Sequence, residues 1–195
     1  MSPDCPGAAF HRTGGVSSPV RETARSALAI DRCETATMTS SDDESFPVRP
    51  IGLVSSSRLR TIDDDWAEVV ATITLLPPFG ASALAGLEEF SHVEVIFSFH
   101  GVDPDGVFTA TRRPRGNPDW PEVGIFAQRA KDRPNRLGLS TCELVAVRGH
   151  TLEVRALDAI DGTPVVDIKP YMAEFAPRRD VRQPLWSHEL MAGYF

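Results

Sequence analysis

Short apolar stretches separated by Pro, Gly and Asp run from residue 48 to residue 168, and they restrict the folds available to this chain. They are rich in Val, Ile and Thr, and several alternate apolar with polar positions, which is typical of half-buried strands. Gly149-His150 separates two of them at the spacing of a hairpin turn. The predicted strands cover residues 48–54, 67–76, 93–99, 107–111, 123–127, 137–148, 151–159 and 165–168.

These strands do not alternate with helices, which argues against a doubly wound parallel sheet. One short helix is predicted over residues 82–90, and the irregular part beyond residue 170 has a second candidate helix near 187–192. No Gly-x-Gly-x-x-Gly sequence follows a strand, as a dinucleotide-binding loop requires. The pattern predicts an all-β fold, a small antiparallel β-barrel of about eight strands with one short helix.

The chain divides into three parts by composition. Residues 1–45 are dominated by Ser, Thr, Ala, Gly and Pro, and we expect a disordered N-terminal extension there. It has no secretory apolar core, and Met38 offers an alternative start of translation. Residues 46–172 form the predicted barrel domain and residues 173–195 a C-terminal extension. No apolar run approaches the roughly 18–20 residues of a membrane helix, so no membrane partner is expected.

Charge and cysteine content exclude several classes. The formal net charge is −7, from 27 acidic and 20 basic residues, so a polyanion can be bound only by a local patch. Three widely spaced cysteines indicate neither a disulfide framework nor a metal knuckle, which favours a reducing cytoplasm. His92, His100 and Cys142 contain no close-spaced ligand pair, so no metal site is predicted.

Two loops concentrate the basic residues. Arg129, Lys131, Arg133 and Arg136 fall within eight residues of one loop, and arginine presents forked donors suited to carboxylate or phosphate. A solvated loop that balances an acidic body explains the same pattern.

The second loop holds Arg112, Arg113 and Arg115, with Trp120 close behind them. Arginine beside an aromatic ring suits a stacked nucleic-acid base. A loop anchored by one buried Trp fits the sequence equally well.

A turn signal stands at Asp161-Gly162, and Pro164 restricts Thr163 to extended geometry. We expect this turn to aim backbone groups and the Thr163 hydroxyl into one small space. Lys169 beside Tyr171 suits an anionic or electron-rich group. The alternative is an ordinary hairpin turn with solvated ends.

These segments carry a resemblance to a known family. Residues 126–140 read Phe-Ala-Gln-Arg-Ala-Lys-Asp-Arg-Pro-Asn-Arg-Leu-Gly-Leu-Ser, and residues 161–171 read Asp-Gly-Thr-Pro-Val-Val-Asp-Ile-Lys-Pro-Tyr. With residues 50–54 and 87–92 upstream, in order and at suitable spacing, they resemble the TsaA-like (TrmO) family of methyltransferases. The resemblance covers residues 48–172.

The resemblance implies a small β-barrel unlike the usual methyltransferase sandwich, and a homodimer that builds the cofactor site. It implies methyl transfer from S-adenosyl-L-methionine. The family's activity is N6-methylation of threonylcarbamoyl-adenosine beside the anticodon of tRNA, so a tRNA anticodon loop is the expected partner in the cytoplasm.

Site residues follow from the resemblance position by position. The implied cofactor contacts are Ser91, His92, Arg129, Leu139, Asp161, Gly162, Thr163 and Pro164. The implied substrate-binding residues are Arg133, Asn135 and Tyr171. For catalysis we expect Lys169 to stabilise the developing anion and His92 or Asp167 to accept the proton.

The chain departs from the family pattern at four places. Ala130, Lys131 and Arg136 replace residues that include two prolines, and Asp63-Asp64-Asp65 stands where a Pro-Arg-Gln-like segment is usual. Three acids there would repel phosphate. The open alternatives are therefore a methyltransferase of the same fold on a small molecule or another RNA, and a non-catalytic barrel that binds S-adenosylmethionine or RNA.

Overall fold

A computed structural model describes residues 47–195 of the chain. The predicted N-terminal extension and Met38 lie outside the described residues. The described residues form eight strands: β1 (Gly52–Ser56), β2 (Val70–Leu75), β3 (His92–Ser98), β4 (Thr111–Arg112), β5 (Val123–Gly124), β6 (Leu137–Arg148), β7 (Thr151–Arg155) and β8 (Pro164–Pro170).

Six of these strands form a closed barrel in the order β1-β2-β7-β6-β3-β8, and every neighbouring pair is antiparallel. The predicted all-β antiparallel barrel is therefore confirmed. The predicted hairpin between β6 and β7 is also confirmed, with Gly149 at a φ of 61° in its turn.

The remaining strands, β4 and β5, pair only with each other, outside the barrel. Each has two residues, so the strands predicted over 107–111 and 123–127 are too long. Loop contacts satisfy the backbone there: Phe108 N donates to Asp132 O at 2.8 Å, and Ile125 N to Ala110 O at 3.0 Å.

The core fills the inside of the barrel through the alternation of the strands. On β3, Val93, Val95 and Phe97 point inward and are buried. Burying each such side chain stabilises the fold by about 1.5–3 kcal/mol. The other large core side chains are Val54, Ile73, Leu75, Leu84, Leu152, Val154, Leu157 and Val165.

The helix predicted over residues 82–90 is wrong. Two 3₁₀ turns, Ala81–Leu84 and Leu87–Glu89, occupy this stretch. Gly86 between them has a φ of 84°, a left-handed conformation that interrupts a helix. The α-helix of residues 47–195 is α1 (Leu185–Met191), near the predicted 187–192. No helix in this part of the chain is long and apolar enough to cross a membrane.

A close approach between β3 and β6 requires a glycine. Gly138 lies opposite Phe97 in register, and a Cβ on Gly138 would stand 2.4 Å from Phe97 Cζ. The Phe97 ring is almost fully buried, so either the packed ring or the backbone of β6 must shift to accept a Cβ.

We expect Gly138→Ala to lower the free energy of unfolding by about 2 kcal/mol, because an overpacked core must distort. Denaturant unfolding measures this value. Gly124→Ala is the matched control, since nothing lies within 4 Å of a Cβ on Gly124, and it should change stability little. Equal stability of the two variants would contradict the close approach.

Candidate active site

An open cavity of about 1310 Å³ lies beside the ends of β3 and β6. The loop between β5 and β6 folds back over these strands, and Phe99 N donates to Arg136 O at 2.7 Å. Side chains of this loop, of the loop after β4 and of the C-terminal segment line the cavity together.

Both basic loops meet at this cavity. Three aspartates also line it, so its formal charge is +3 within a chain whose total is −7. The lining cations are Arg112, Arg113, Arg115, Arg129, Lys131 and Arg133, and the aspartates are Asp63, Asp132 and Asp158. Arg136 does not line the cavity; its Nη1 donates to Val102 O at 2.9 Å.

Carboxylates neutralise three of the six cations. Arg112 makes a two-pronged ion pair with Asp132. Arg115 Nη2 lies 2.6 Å from Asp64 Oδ1, and this hydrogen bond raises the pKa of Arg115. Lys131 Nζ lies 3.3 Å from Asp63 Oδ1. Two departures from the family pattern, Lys131 and Asp63, therefore contact each other.

Backbone carbonyls hold the other three guanidinium groups. Arg129 donates to Leu139 O, Arg133 to Gln128 O at 3.2 Å, and Arg113 to the carbonyls of Pro118 and Trp120. Within residues 47–195, none of these three arginines has a carboxylate within 4.0 Å. A carbonyl orients a guanidinium without cancelling its charge, so these three groups can bind an anion.

A hydrogen-bonded network that the sequence did not reveal lies in the cavity wall. Ser140 Oγ donates to one oxygen of Asp158, and Tyr194 Oη donates to the other at 2.6 Å. Burial raises the pKa of Tyr194, and the charge of Asp158 raises it further, so the hydroxyl stays protonated. Tyr194 follows no motif, and its contact depends on the fold.

The turn predicted at Asp161-Gly162 is present. Gly162 has a φ of 75°, and Asp161 Oδ1 accepts from Ser56 N at 3.0 Å. Thr163 is buried and lines the cavity, while Asp161, Gly162 and Pro164 do not.

Other predicted site residues lie on the outer face of strands β6, β3 and β8. Leu139, Ile96 and Asp167 are opposite one another in register, so their side chains form one row across three strands. In the next row Lys169 lies opposite Glu94, and its Nζ is 2.5 Å from Asp167 Oδ2. The hydrogen bond to Asp167 raises the pKa of Lys169.

His92 begins β3 on this same outer face. Its Nδ1 lies 2.8 Å from Ser91 Oγ, and its carbonyl accepts from Tyr171 N at 3.0 Å. Ten of the thirteen predicted site residues thus fall into two groups, and Asp161, Gly162 and Pro164 belong to neither. The cavity group is Arg129, Arg133, Asn135, Leu139 and Thr163. The outer-face group, which does not line the cavity, is Ser91, His92, Asp167, Lys169 and Tyr171.

Cys142 takes no part in either group. It is fully buried inside the barrel, and burial raises its pKa to about 12, so its thiol is not a nucleophile at neutral pH. Residues 47–195 contain no cluster of three or more His, Cys, Asp or Glu placed to hold a metal ion.

Comparison with known proteins identifies the family of this chain. Residues 63–176 match the family model described as the tRNA-methyltransferase O N-terminal domain. The matched segment includes both basic loops, the turn before β8 and β8 itself, and it ends before α1.

Two curated relatives show how far the likeness extends. The protein named "Probable S-adenosyl-L-methionine-binding protein" of Pyrococcus abyssi (strain GE5 / Orsay) is 36% identical over 139 residues, which cover 69% of this chain and 72% of that protein. The tRNA (adenine(37)-N6)-methyltransferase of Escherichia coli (strain K12) is 44% identical over 105 residues, which cover 50% of this chain and 43% of that enzyme.

A solved structure shares the architecture. The crystal structure of TrmO from Pseudomonas aeruginosa superimposes with a TM-score of 0.59 at 33% identity, over 71% of this chain and 61% of that chain. The chain thus spans less than two thirds of both the solved structure and the E. coli enzyme.

We expect Tyr194→Phe to lower the free energy of unfolding by about 2 kcal/mol, because it removes a hydrogen bond to a charged group. The folded-state pKa of Tyr194 lies above the unfolded value of 10.0, so the folded chain holds this proton more tightly. Stability should therefore fall as the pH rises past that value, and less so in the variant.

Thermal or urea unfolding at pH values below and above 10.0 measures both the loss of stability and its dependence on pH. Tyr171→Phe is the control, since it leaves Tyr194 in place and should keep the wild-type slope. An identical slope in Tyr194→Phe would show that the contact with Asp158 does not hold the proton.

Proposed function

Since the chain belongs to the tRNA-methyltransferase O family, we propose that it transfers the methyl group of S-adenosyl-L-methionine to N6 of an adenosine beside the anticodon of tRNA. The specific acceptor we propose is threonylcarbamoyl-adenosine, and a tRNA substrate implies a reaction in the cytoplasm. The observation that carries the proposal is the local charge. An acidic chain concentrates six cations around one cavity, which suits an anionic nucleic acid.

The residues present fit S-adenosylmethionine. The cavity of about 1310 Å³ is larger than the 300–1,000 Å³ of typical ligand sites, so it has room for a donor and part of an acceptor. Arg129 offers an uncancelled guanidinium for a carboxylate, and Leu139 offers an exposed apolar surface for an adenine ring. Ser91, His92 and the turn at 161–164 are the further proposed contacts.

When bound, S-adenosylmethionine supplies a methyl group activated by its positively charged sulfur. The residues of this chain would then need to hold the acceptor nitrogen in line with that methyl group and to exclude water. The urea-type nitrogen must lose its proton, and Lys169 would stabilise the negative charge that develops on the neighbouring carbonyl oxygen. The contact with Asp167 orients the Lys169 ammonium group and raises its pKa.

The proton acceptor we propose is His92 rather than Asp167. Both oxygens of Asp167 already accept hydrogen bonds, from Ile168 N at 3.0 Å and from Lys169. His92 contacts Ser91 Oγ only through Nδ1, which leaves Nε2 to take the proton.

We infer a homodimer that completes the site. In one chain Lys169 and His92 lie on the outer face of the barrel and do not line the cavity that holds Arg129. A second copy packed on that face would place the outer-face group of one chain against the cavity group of the other. The exposed apolar side chains of Leu137 and Leu139 on β6 lie on this face and support its being covered.

A second candidate acceptor is a small molecule or another RNA. The observation that favours it is the contact of Asp63 and Asp64 with Lys131 and Arg115, which cancels two of the cations available to a tRNA. A nucleoside analysis separates the two acceptors.

We expect a strain that lacks the gene to lose the N6-methyl signal at the adenosine beside the anticodon, measured by mass spectrometry of tRNA nucleosides. A plasmid with the wild-type gene should restore the signal, and one with Lys169→Ala should not. An unchanged signal in the deletion strain would reject tRNA as the acceptor and favour the second candidate.

We expect Lys169→Ala to reduce kcat about 10²–10³-fold while the affinity for S-adenosylmethionine stays unchanged, because the lost charge acts on the developing anion. Lys169→Arg keeps the charge and should retain more activity. Full activity of Lys169→Ala in single-turnover assays would exclude the proposed role.

The same variants test the shared site. Arg129→Ala should weaken cofactor binding, and an equal mixture of the Arg129→Ala and Lys169→Ala chains should regain about a quarter of wild-type activity. About half of the dimers in such a mixture contain one chain of each variant. Each mixed dimer has one intact site out of two, which gives about a quarter of the wild-type sites. No recovery on mixing would show that each site is built from one chain.

A further inference from the structure

The C-terminal segment forms one wall of the cavity, although it follows the last residue of the family match. The sequence predicted residues 173–195 only as an extension. The residues of this segment that line the cavity are Gln183, Trp186, Ser187, Leu190, Met191, Tyr194 and Phe195.

Contacts with separate parts of the barrel domain hold this wall in place. Trp120 Nε1 donates to Glu189 Oε2 at 2.8 Å, in the loop after β4. Trp66 N donates to Tyr194 O at 2.8 Å, before β2, and the Tyr194 hydroxyl donates to Asp158 after β7. The segment is thus held to the barrel domain through Glu189 within α1 and through Tyr194 beyond its C-terminal end.

Trp120 connects this wall to a cation. Its indole binds Glu189 on α1, and its carbonyl accepts from Arg113 Nη1. The loop is thus anchored by its Trp, and Trp120 itself does not line the cavity. An aromatic residue of α1 that does line the cavity is Trp186, which lies one helical turn before Glu189 and therefore on the same side of α1.

Trp186 and Arg113 both line the cavity, and the contacts of Trp120 with Arg113 and Glu189 connect them along one rim. Trp186 is half-buried and Arg113 is exposed. Within residues 47–195, only Nη1 of Arg113 is hydrogen-bonded, so Nε and Nη2 can donate to a further group. An indole face beside an uncancelled guanidinium matches a base and its phosphate.

We propose that Trp186 and Arg113 form a subsite for one nucleotide of the acceptor RNA, with the base stacked on the indole and the phosphate bound by the guanidinium. This rests on the proposed function. The subsite fits RNA better than the methyl donor, because S-adenosylmethionine carries no phosphate and its single carboxylate is matched by Arg129.

The test measures binding of a fluorescein-labelled tRNA anticodon stem-loop to the full chain by anisotropy, and binding of S-adenosylmethionine by calorimetry. Trp186→Ala should weaken RNA binding roughly tenfold, since stacking on an aromatic ring is lost. Trp186→Phe keeps a ring and should remain within about twofold of wild type. Leu185→Ala is the matched control on the same helix, because Leu185 is exposed and does not line the cavity.

Arg113→Ala tests the phosphate contact independently of the helix. It should weaken RNA binding and lower the slope of log K against log salt by about one. None of these variants should change the affinity for S-adenosylmethionine.

Each other outcome overturns the subsite. Weaker binding of S-adenosylmethionine with unchanged RNA affinity would assign the rim to the donor. If Trp186→Ala does not fold, an unchanged salt slope in Arg113→Ala decides against the proposal. Wild-type protein that binds no RNA would overturn the proposed function as well, whereas tight wild-type binding with unaffected variants overturns the subsite alone.

Discussion

Strand β6 pairs with its two neighbours along different parts of its length, and the site is built on the edge that this stagger leaves open. The first half of β6 pairs with β3, from Leu137 opposite Ser98 to Glu143 opposite His92. The second half pairs with β7 from Glu143 onward. Such a stagger is what closes a small barrel. Along the first half the edge away from β3 has no strand, so Leu139 O accepts from Arg129 and Ser140 reaches Asp158.

The cavity gains its positive charge through the way its arginines are held. A carboxylate partner, as in Arg112 with Asp132, fixes a guanidinium and cancels its charge. A carbonyl partner, as in Arg129 and Arg133, fixes the group and leaves the charge for a ligand. The loop between β5 and β6 contains both kinds of contact, since it carries Asp132 as well as Arg129 and Arg133. The ion pair makes the loop rigid, and the two arginines held by carbonyls keep the charge that can bind a ligand.

Local pattern was enough to predict the barrel strands, because Val93, Val95 and Phe97 alternate as a half-buried strand must. It failed at residues 82–90, where Gly86 adopts a left-handed conformation that apolar spacing does not reveal. The local sequence pattern also could not predict contacts between distant parts of the chain. Glu189 meets Trp120 across 69 positions, and nothing in either local sequence predicts the other.

The pairing of β1 with β8 governs the order in which the molecule is assembled. Gly52 lies opposite Val165, so ring closure must bring together positions about 110 residues apart, at a cost in chain entropy. During synthesis β1 emerges early and waits for β8 with an unpaired edge. The wall carried by α1 is added later still, so a nascent chain holds no finished binding site while its strands are being made.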